Sequence, residues 1–175
     1  KKLASKISVY DNSNRVVEYL KKNFSVDICS NVSETAKDAD LIIISAPLSS
    51  YKEILHSIKS NLKEGSILTD TGSVKKEVNK IVNNLGFKNI SWIASHPIAG
   101  TEHSGPDAGF SSLFENRWCI LSADNQVAKD KIENLEKFWS KLGSKVKVMS
   151  FEDHDYVFSL TSHLPHAVAY SIVRT

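Results

Sequence analysis

Apolar and polar positions along the chain follow two rhythms that take turns. "KISVYD" (6–11) alternates with period two, as does "KVKVMS" (145–150), and each predicts a strand. "SNRVVEYLKKN" (13–23) instead repeats its apolar residues at the three-and-four spacing of a helix, with Ser13 as its N-cap. Strand-like "SVDICS" (25–30) follows, then a short helix with Ser33 as a candidate N-cap. "LIIISAP" (41–47) is apolar on consecutive positions, which predicts a strand buried on both faces. Next come helical "SSYKEILHSIKSNL", strand-and-turn "GSILTDTGS" (65–73) and helical "VKKEVNKIVNNLG" (74–86), which ends on a glycine stop. "NISWIASHP" (89–97) and "RWCILSA" (117–123) are further strands, and "AKDKIENLEKFWSKLG" (128–143) a further helix. Trp92, Trp118 and Trp139 have apolar neighbours and are expected in the core. From Phe151 onward only the helical spacing remains.

Strands alternating with helices predict an α/β fold with a mostly parallel sheet over residues 1–150, and an all-helical segment over 151–175 that leaves it. Ligands of such sheets bind beyond the carboxyl ends of the strands. Asp11, Ala46 and Pro47, the run from Asp70 to Ser73, and His96 all stand at such ends. In a dinucleotide-binding fold Asp11 would bond ribose hydroxyls and repel a 2′-phosphate, favouring NAD, although Arg15 close by could meet that phosphate. Taken alone it reads better as an ordinary turn aspartate. Gly72 permits a tight turn, and Ser73 can cap the helix that follows. The G-x-G-x-x-G phosphate loop does not occur in these 175 residues, and the chain opens at Lys1 and stops at Thr175 in an apolar stretch. We therefore expect a piece of a longer protein, with a first strand and glycine loop ahead of it and an open sheet edge where that strand belongs.

Composition narrows the partners. A formal net charge of +2, with basic residues scattered, offers nucleic acid no footprint. No apolar run approaches the roughly 20 residues that span a bilayer. Two distant cysteines, Cys29 and Cys119, make no disulfide framework or zinc set, which suits a reducing cytoplasm. His96, fixed before Pro97 and followed by Thr101, Glu102 and His103, can act as a base or hydrogen-bond donor near neutral pH, or be structural. His163 and His166 in "SHLPH" lie one helical turn apart, with Pro165 bending or starting the helix. As metal ligands they would need a third, such as His154 or Asp155; without an H-E-x-x-H motif, binding a carboxylate substrate suits them better and no metal is expected.

"TDTGSVK" (69–75), "SHPIAGTEHSG" (95–105), "LFENRWCILS" (113–122) and "EDHDYVFSLTSHLPHAVAY" (152–170) occur in that order. Together they resemble the prephenate/arogenate (cyclohexadienyl) dehydrogenase family of tyrosine biosynthesis, over nearly the whole chain. The resemblance implies a Rossmann-like domain followed by the start of a helical dimerisation domain, and hence a homodimer. It implies NAD-dependent oxidative decarboxylation of prephenate, arogenate or both. His96 then matches the catalytic histidine that takes the proton of the substrate's C4 hydroxyl, and Ser73 a serine between it and the nicotinamide. His166 matches a substrate-binding histidine and Glu102 a residue near the pocket mouth, with Thr101 and His163 on the same side. Asp11, Ala46, Pro47 and Gly72, with Ser73, match the cofactor side. The alternative is another NAD(P)-dependent dehydrogenase of the same two-part build acting on a small carboxylic acid.

Overall fold

A computed structural model describes residues 3–100 and 105–173. The chain begins with strand β1 (Ser8–Val9), helix α1 (Asn14–Asn23) and strand β2 (Asp27–Ile28), a βαβ unit whose strands pair in parallel. Ser13 is the N-cap of α1 by position, but its side chain makes no capping bond. Helix α2 (Val32–Ala36) is capped by Asn31, which accepts from the Glu34 N–H; Ser33, the expected cap, already lies inside the helix and donates to the Ser57 carbonyl. An asparagine before the first turn offers its oxygen to the free N–H groups there, which a serine within the turn cannot do.

Strand β3 (Leu41–Ile44) leads into helix α3 (Tyr51–Ile58), strand β4 (Ile67–Asp70) and helix α4 (Lys76–Leu85). β4 lies between β3 and β5 (Ser91–Trp92), parallel to both, and all four of its residues are buried. β5 and β6 (Ala94–Pro97) are halves of one extended segment broken at Ile93, whose N–H still bonds the Leu68 carbonyl at 3.0 Å. β6 pairs antiparallel with β7 (Trp118–Ser122), which pairs parallel with β8 (Lys145–Val148) after helix α5 (Lys129–Leu142). Among the named strands of the described residues only β6–β7 pair antiparallel, so the mostly parallel α/β build expected from the chain's rhythm is present.

Among the described residues β3 has no strand on its other side, and β1–β2 stands as its own two-stranded sheet. Within its own sheet β3 is therefore an edge strand. β3 is consequently not buried on both faces: Ile43 is 39% exposed. Apolar side chains from β3 to β8 and their helices form two clusters. Leu55, Leu68, Val78 and Trp92 sit in one cluster, and Ile93, Cys119, Leu121, Leu135 and Trp139 in the other. Trp118 departs from the expected core. It is the first residue of β7, and is 50% exposed.

Helix α6 (Phe151–Phe158) does not leave the sheet at once. Phe151, His154 and Phe158, spaced three and four apart, face inward, and Phe151 belongs to the first apolar cluster. A π turn (Ser159–His163) joins α6 to helix α7 (Leu164–Val173). Pro165 lacks an N–H and would clash with the carbonyl four residues back in a regular helix, and a widened turn just before it relieves that conflict. Past Ser159 the helix is largely exposed, Leu160, Leu164, Val168 and Ile172 included. No helix among the described residues is long and apolar enough to cross a membrane.

Candidate functional site

The polar groups gather at the carboxyl ends of β4 and β6, as the strand-end rule requires. Asp70 ends β4 and is fully buried, so its charge needs partners. It has them. Lys75 Nζ, equally buried, donates to its Oδ2 at 2.6 Å, and the Gly72 N–H and Tyr51 hydroxyl converge on the same oxygen at 3.1 and 3.3 Å. Oδ1 accepts from the Ser95 N–H at 3.1 Å, while Lys75 also donates to the Ser95 carbonyl at 2.7 Å. Burial raises the Asp70 pKa and lowers that of Lys75, and the attraction between them opposes both shifts. Burial first, then the Asp70 charge, raises the Tyr51 hydroxyl, which stays a donor. The network ties the β4 turn to the residue just before His96.

Gly72 has no room for a side chain: a Cβ would stand 3.0 Å from both Asp70 Oδ2 and the Tyr51 hydroxyl. Beside it a cavity of about 210 Å³ is lined by Ala46, Leu48, Tyr51, Gly72, Ser73 and Val74. Three of the expected cofactor residues, Ala46, Gly72 and Ser73, therefore share one wall. Pro47 stands between Ala46 and Leu48 at the start of a short 3-10 turn. Asp11 lies apart from this wall, at the end of β1, where one carboxylate oxygen accepts the Ser13 N–H at 2.8 Å. Arg15 is turned to Asp107, Nη2 to Oδ2 at 2.7 Å.

His96, the third residue of β6, is partly buried and has two ring neighbours, His154 and Phe158. Its Nδ1 is 2.8 Å from His154 Nε2, and the Phe158 ring meets it edge-on with centroids 4.8 Å apart. Burial first, then the fields of His154, Lys75 and His163, push its pKa down to about 3. It is therefore a neutral imidazole across the physiological range rather than one titrating near pH 6.5. His154 is lowered too, chiefly by burial. Its Nδ1 lies 2.8 Å from Asp155 Oδ1. That carboxylate accepts the N–H groups of Lys75 and Lys76 at 2.9 and 3.0 Å, so Asp155 caps α4 and Ser73 does not. Cys119, pushed up to about 12 by burial, remains a thiol and no nucleophile.

Not every expected residue joins this centre. His163 is exposed yet close enough for its charge to act on His96. His166 is exposed on α7 and has no hydrogen bond to His96. Thr101 and Glu102 lie outside the described residues. Conversely, Tyr51, Asp70, Lys75, His154 and Asp155 were not anticipated in these roles. The pattern did hold a signal for two of them. Lys75 shares the spacing of buried Val78 and Val82, and His154 that of buried Phe151 and Phe158. A polar residue in the apolar phase of a helix needs buried partners.

A twisted, mainly parallel sheet with helices packed on it, a cavity at its strand ends and a following helical segment defines a Rossmann-like nucleotide-binding domain with a helical extension. The chain belongs to the prephenate dehydrogenase family: residues 1–148 match its nucleotide-binding domain and residues 150–175 its dimerization domain. Cyclohexadienyl dehydrogenase of Zymomonas mobilis is 34% identical over 168 residues, which are 95% of this chain and 57% of the relative. The crystal structure of prephenate dehydrogenase from A. aeolicus, in complex with hydroxyphenyl propionate and NAD+, superposes with a TM-score of 0.87 at 30% identity, covering 98% of this chain and 60% of that one. Synechocystis arogenate dehydrogenase shares the fold, with a TM-score of 0.84 at 22% identity over 97% of this chain and 60% of that chain. The chain thus spans well under two thirds of the length of these relatives.

Proposed function

We propose that the intact protein is an NAD-dependent dehydrogenase that oxidatively decarboxylates prephenate, arogenate or both. The observation that carries this reading is His96, a neutral imidazole at the carboxyl end of a strand, in a chain of the family that includes relatives named cyclohexadienyl and prephenate dehydrogenase. Support for a dinucleotide comes from the wall of Ala46, Gly72 and Ser73, and from Asp11 just after β1. The cavity is smaller than the several hundred Å³ typical of complete ligand sites, so it suits one part of a dinucleotide. Asp11 would take the ribose and disfavour a 2′-phosphate. The Arg15–Asp107 pair turns Arg15 away, although an exposed pair worth about 0–1 kcal/mol biases that side chain without locking it.

The cofactor, when bound, supplies the acceptor for the hydride of substrate C4. His96 holds the C4 hydroxyl and takes its proton as that carbon becomes a carbonyl. Electrons of the bond from C1 to the carboxylate then flow into the ring, CO₂ leaves and the ring becomes aromatic. The protein's part is to orient and deprotonate. Ser73 would stand between His96 and the nicotinamide, His166, His163 and Thr101 would bind the substrate, and Glu102 would belong near the pocket mouth. A homodimer through the helical segment follows from its family, and two free thiols, Cys29 and Cys119, suit the cytoplasm.

The test follows NADH absorbance with the full-length protein and each substrate, then with NADP in place of NAD. Turnover with at least one substrate and a clear preference for NAD are expected. No NADH from either substrate would overturn the activity, and equal rates with NADP would overturn the role of Asp11. His96→Asn keeps a polar side chain of similar shape but no base, and should lower kcat by about 10²–10⁴ with KM little changed.

A further inference from the structure

We propose that His154 and Asp155, at the start of α6, are a positioning pair that fixes His96 as the tautomer protonated on Nδ1, with the Nε2 lone pair free. Why that lone pair matters rests on the functional reading above; the tautomer itself does not.

The assignment follows from counting protons along one line of contacts. Asp155 comes first. Burial works against its charge, but the N–H groups of Lys75 and Lys76 and the ring of His154 outweigh burial and hold the carboxyl below its usual range. An ionised carboxylate only accepts, so the 2.8 Å contact with His154 requires the proton on His154 Nδ1. A neutral imidazole has one N–H, so His154 Nε2 is a lone pair. It lies 2.8 Å from His96 Nδ1, which must then be the donor. Being neutral as well, His96 is left with a bare Nε2.

Packing holds the same arrangement. His154 has no exposed surface, and Phe158 closes on both rings, with centroids 4.6 Å from His154 and 4.8 Å from His96. Neither imidazole can turn without displacing the other. Among the described residues, the charged and titratable groups facing His96 are His154 and Asp155 from α6, Lys75 at the head of α4, and His163 from the π turn. Asp155 alone among them favours its protonation. When the C4 hydroxyl proton passes to Nε2, the imidazolium keeps its Nδ1–H on His154, whose basicity Asp155 raises. No proton has to cross that contact for the reaction to balance.

The full-length protein, with ¹⁵N-labelled histidine, allows a direct reading of tautomers from long-range ¹H–¹⁵N spectra. In the wild type His96 should show a protonated Nδ1 and a bare Nε2, and His154 a protonated Nδ1. His154→Leu should leave His96 as a mixture of tautomers and lower kcat by about 10²-fold, with KM nearly unchanged. His154→Gln places an amide oxygen near the lost Nε2 and should restore the tautomer and much of kcat. A wild-type His96 protonated on Nε2 overturns the proposal, even if the Leu variant fails to fold. So does a folded Leu variant with an unchanged tautomer. The two readings fail separately: bare Nε2 without turnover of either substrate sinks the function alone, and turnover with Nε2 protonated sinks the pair alone.

Discussion

At the scale of single residues, burial decides the protonation of the central histidines. His96 is pushed down to about 3 and His154 is lowered, both chiefly by desolvation. In the unfolded chain each takes a proton near pH 6.5. Between that pH and the folded value the unfolded state binds more protons, so stability rises with pH across the window and drains away as pH falls through it. The Asp155 carboxyl, held low, adds a loss in the same direction only below about pH 4. Melting temperatures of the full-length protein should therefore drop from pH 7 to pH 5, and drop less in His96→Asn; equal slopes would contradict the assignment. The kcat profile should likewise lack an acid limb near pH 6.5, where an ordinary histidine would place one. Position along the chain revealed His96 as a candidate, whereas its shifted pKa was invisible. The shift comes from groups as distant in the chain as His154 and His163, which only folding brings close.

Elements carry a different lesson. Helices α1, α4 and α5 fall where apolar spacing and the glycine stops place them, because local spacing decides which face can be buried. Strands came out shorter than their apolar runs: β1 keeps two residues of "KISVYD" because only those pair with β2. What the chain could not show locally was who satisfies whom. Asp155 caps α4 from 80 positions away, and no rule confined to the first turn of α4 could find it. The same holds for the Asp70–Lys75 pair, whose enclosure depends on Tyr51 and the Ser95 backbone. Breaking a buried pair leaves one charge stranded, at a cost of about 3–5 kcal/mol. Lys75→Met should accordingly lower urea stability by about that much, while the double variant Lys75→Met with Asp70→Leu should recover part of it. A loss under about 1 kcal/mol in the single variant would mean that the pair is not closed to water.

For the whole molecule, the parallel fold and the strand-end site were legible together, since one alternation of strand and helix produces both. The course of the last helix was read less well. It first packs against the sheet through α6 and only beyond Ser159 turns an apolar surface outward, with Val168, Tyr170, Ile172 and Val173 at least half exposed. So large an apolar face suits a subunit interface. Sedimentation of the full-length protein should give a dimer at micromolar concentration, and a monomer would count against that interface. The contact between His96 and His154 also has a meaning in time. Chains leave the ribosome from the N-terminus at about 5–20 residues per second, so His154 follows His96 by roughly 3 to 12 s. During that interval a nascent sheet could already form around β4 and β6, but its histidine would turn freely and its α4 would begin uncapped. Synthesis order thus completes the cap of α4 and the His96 contact only once α6 has been made.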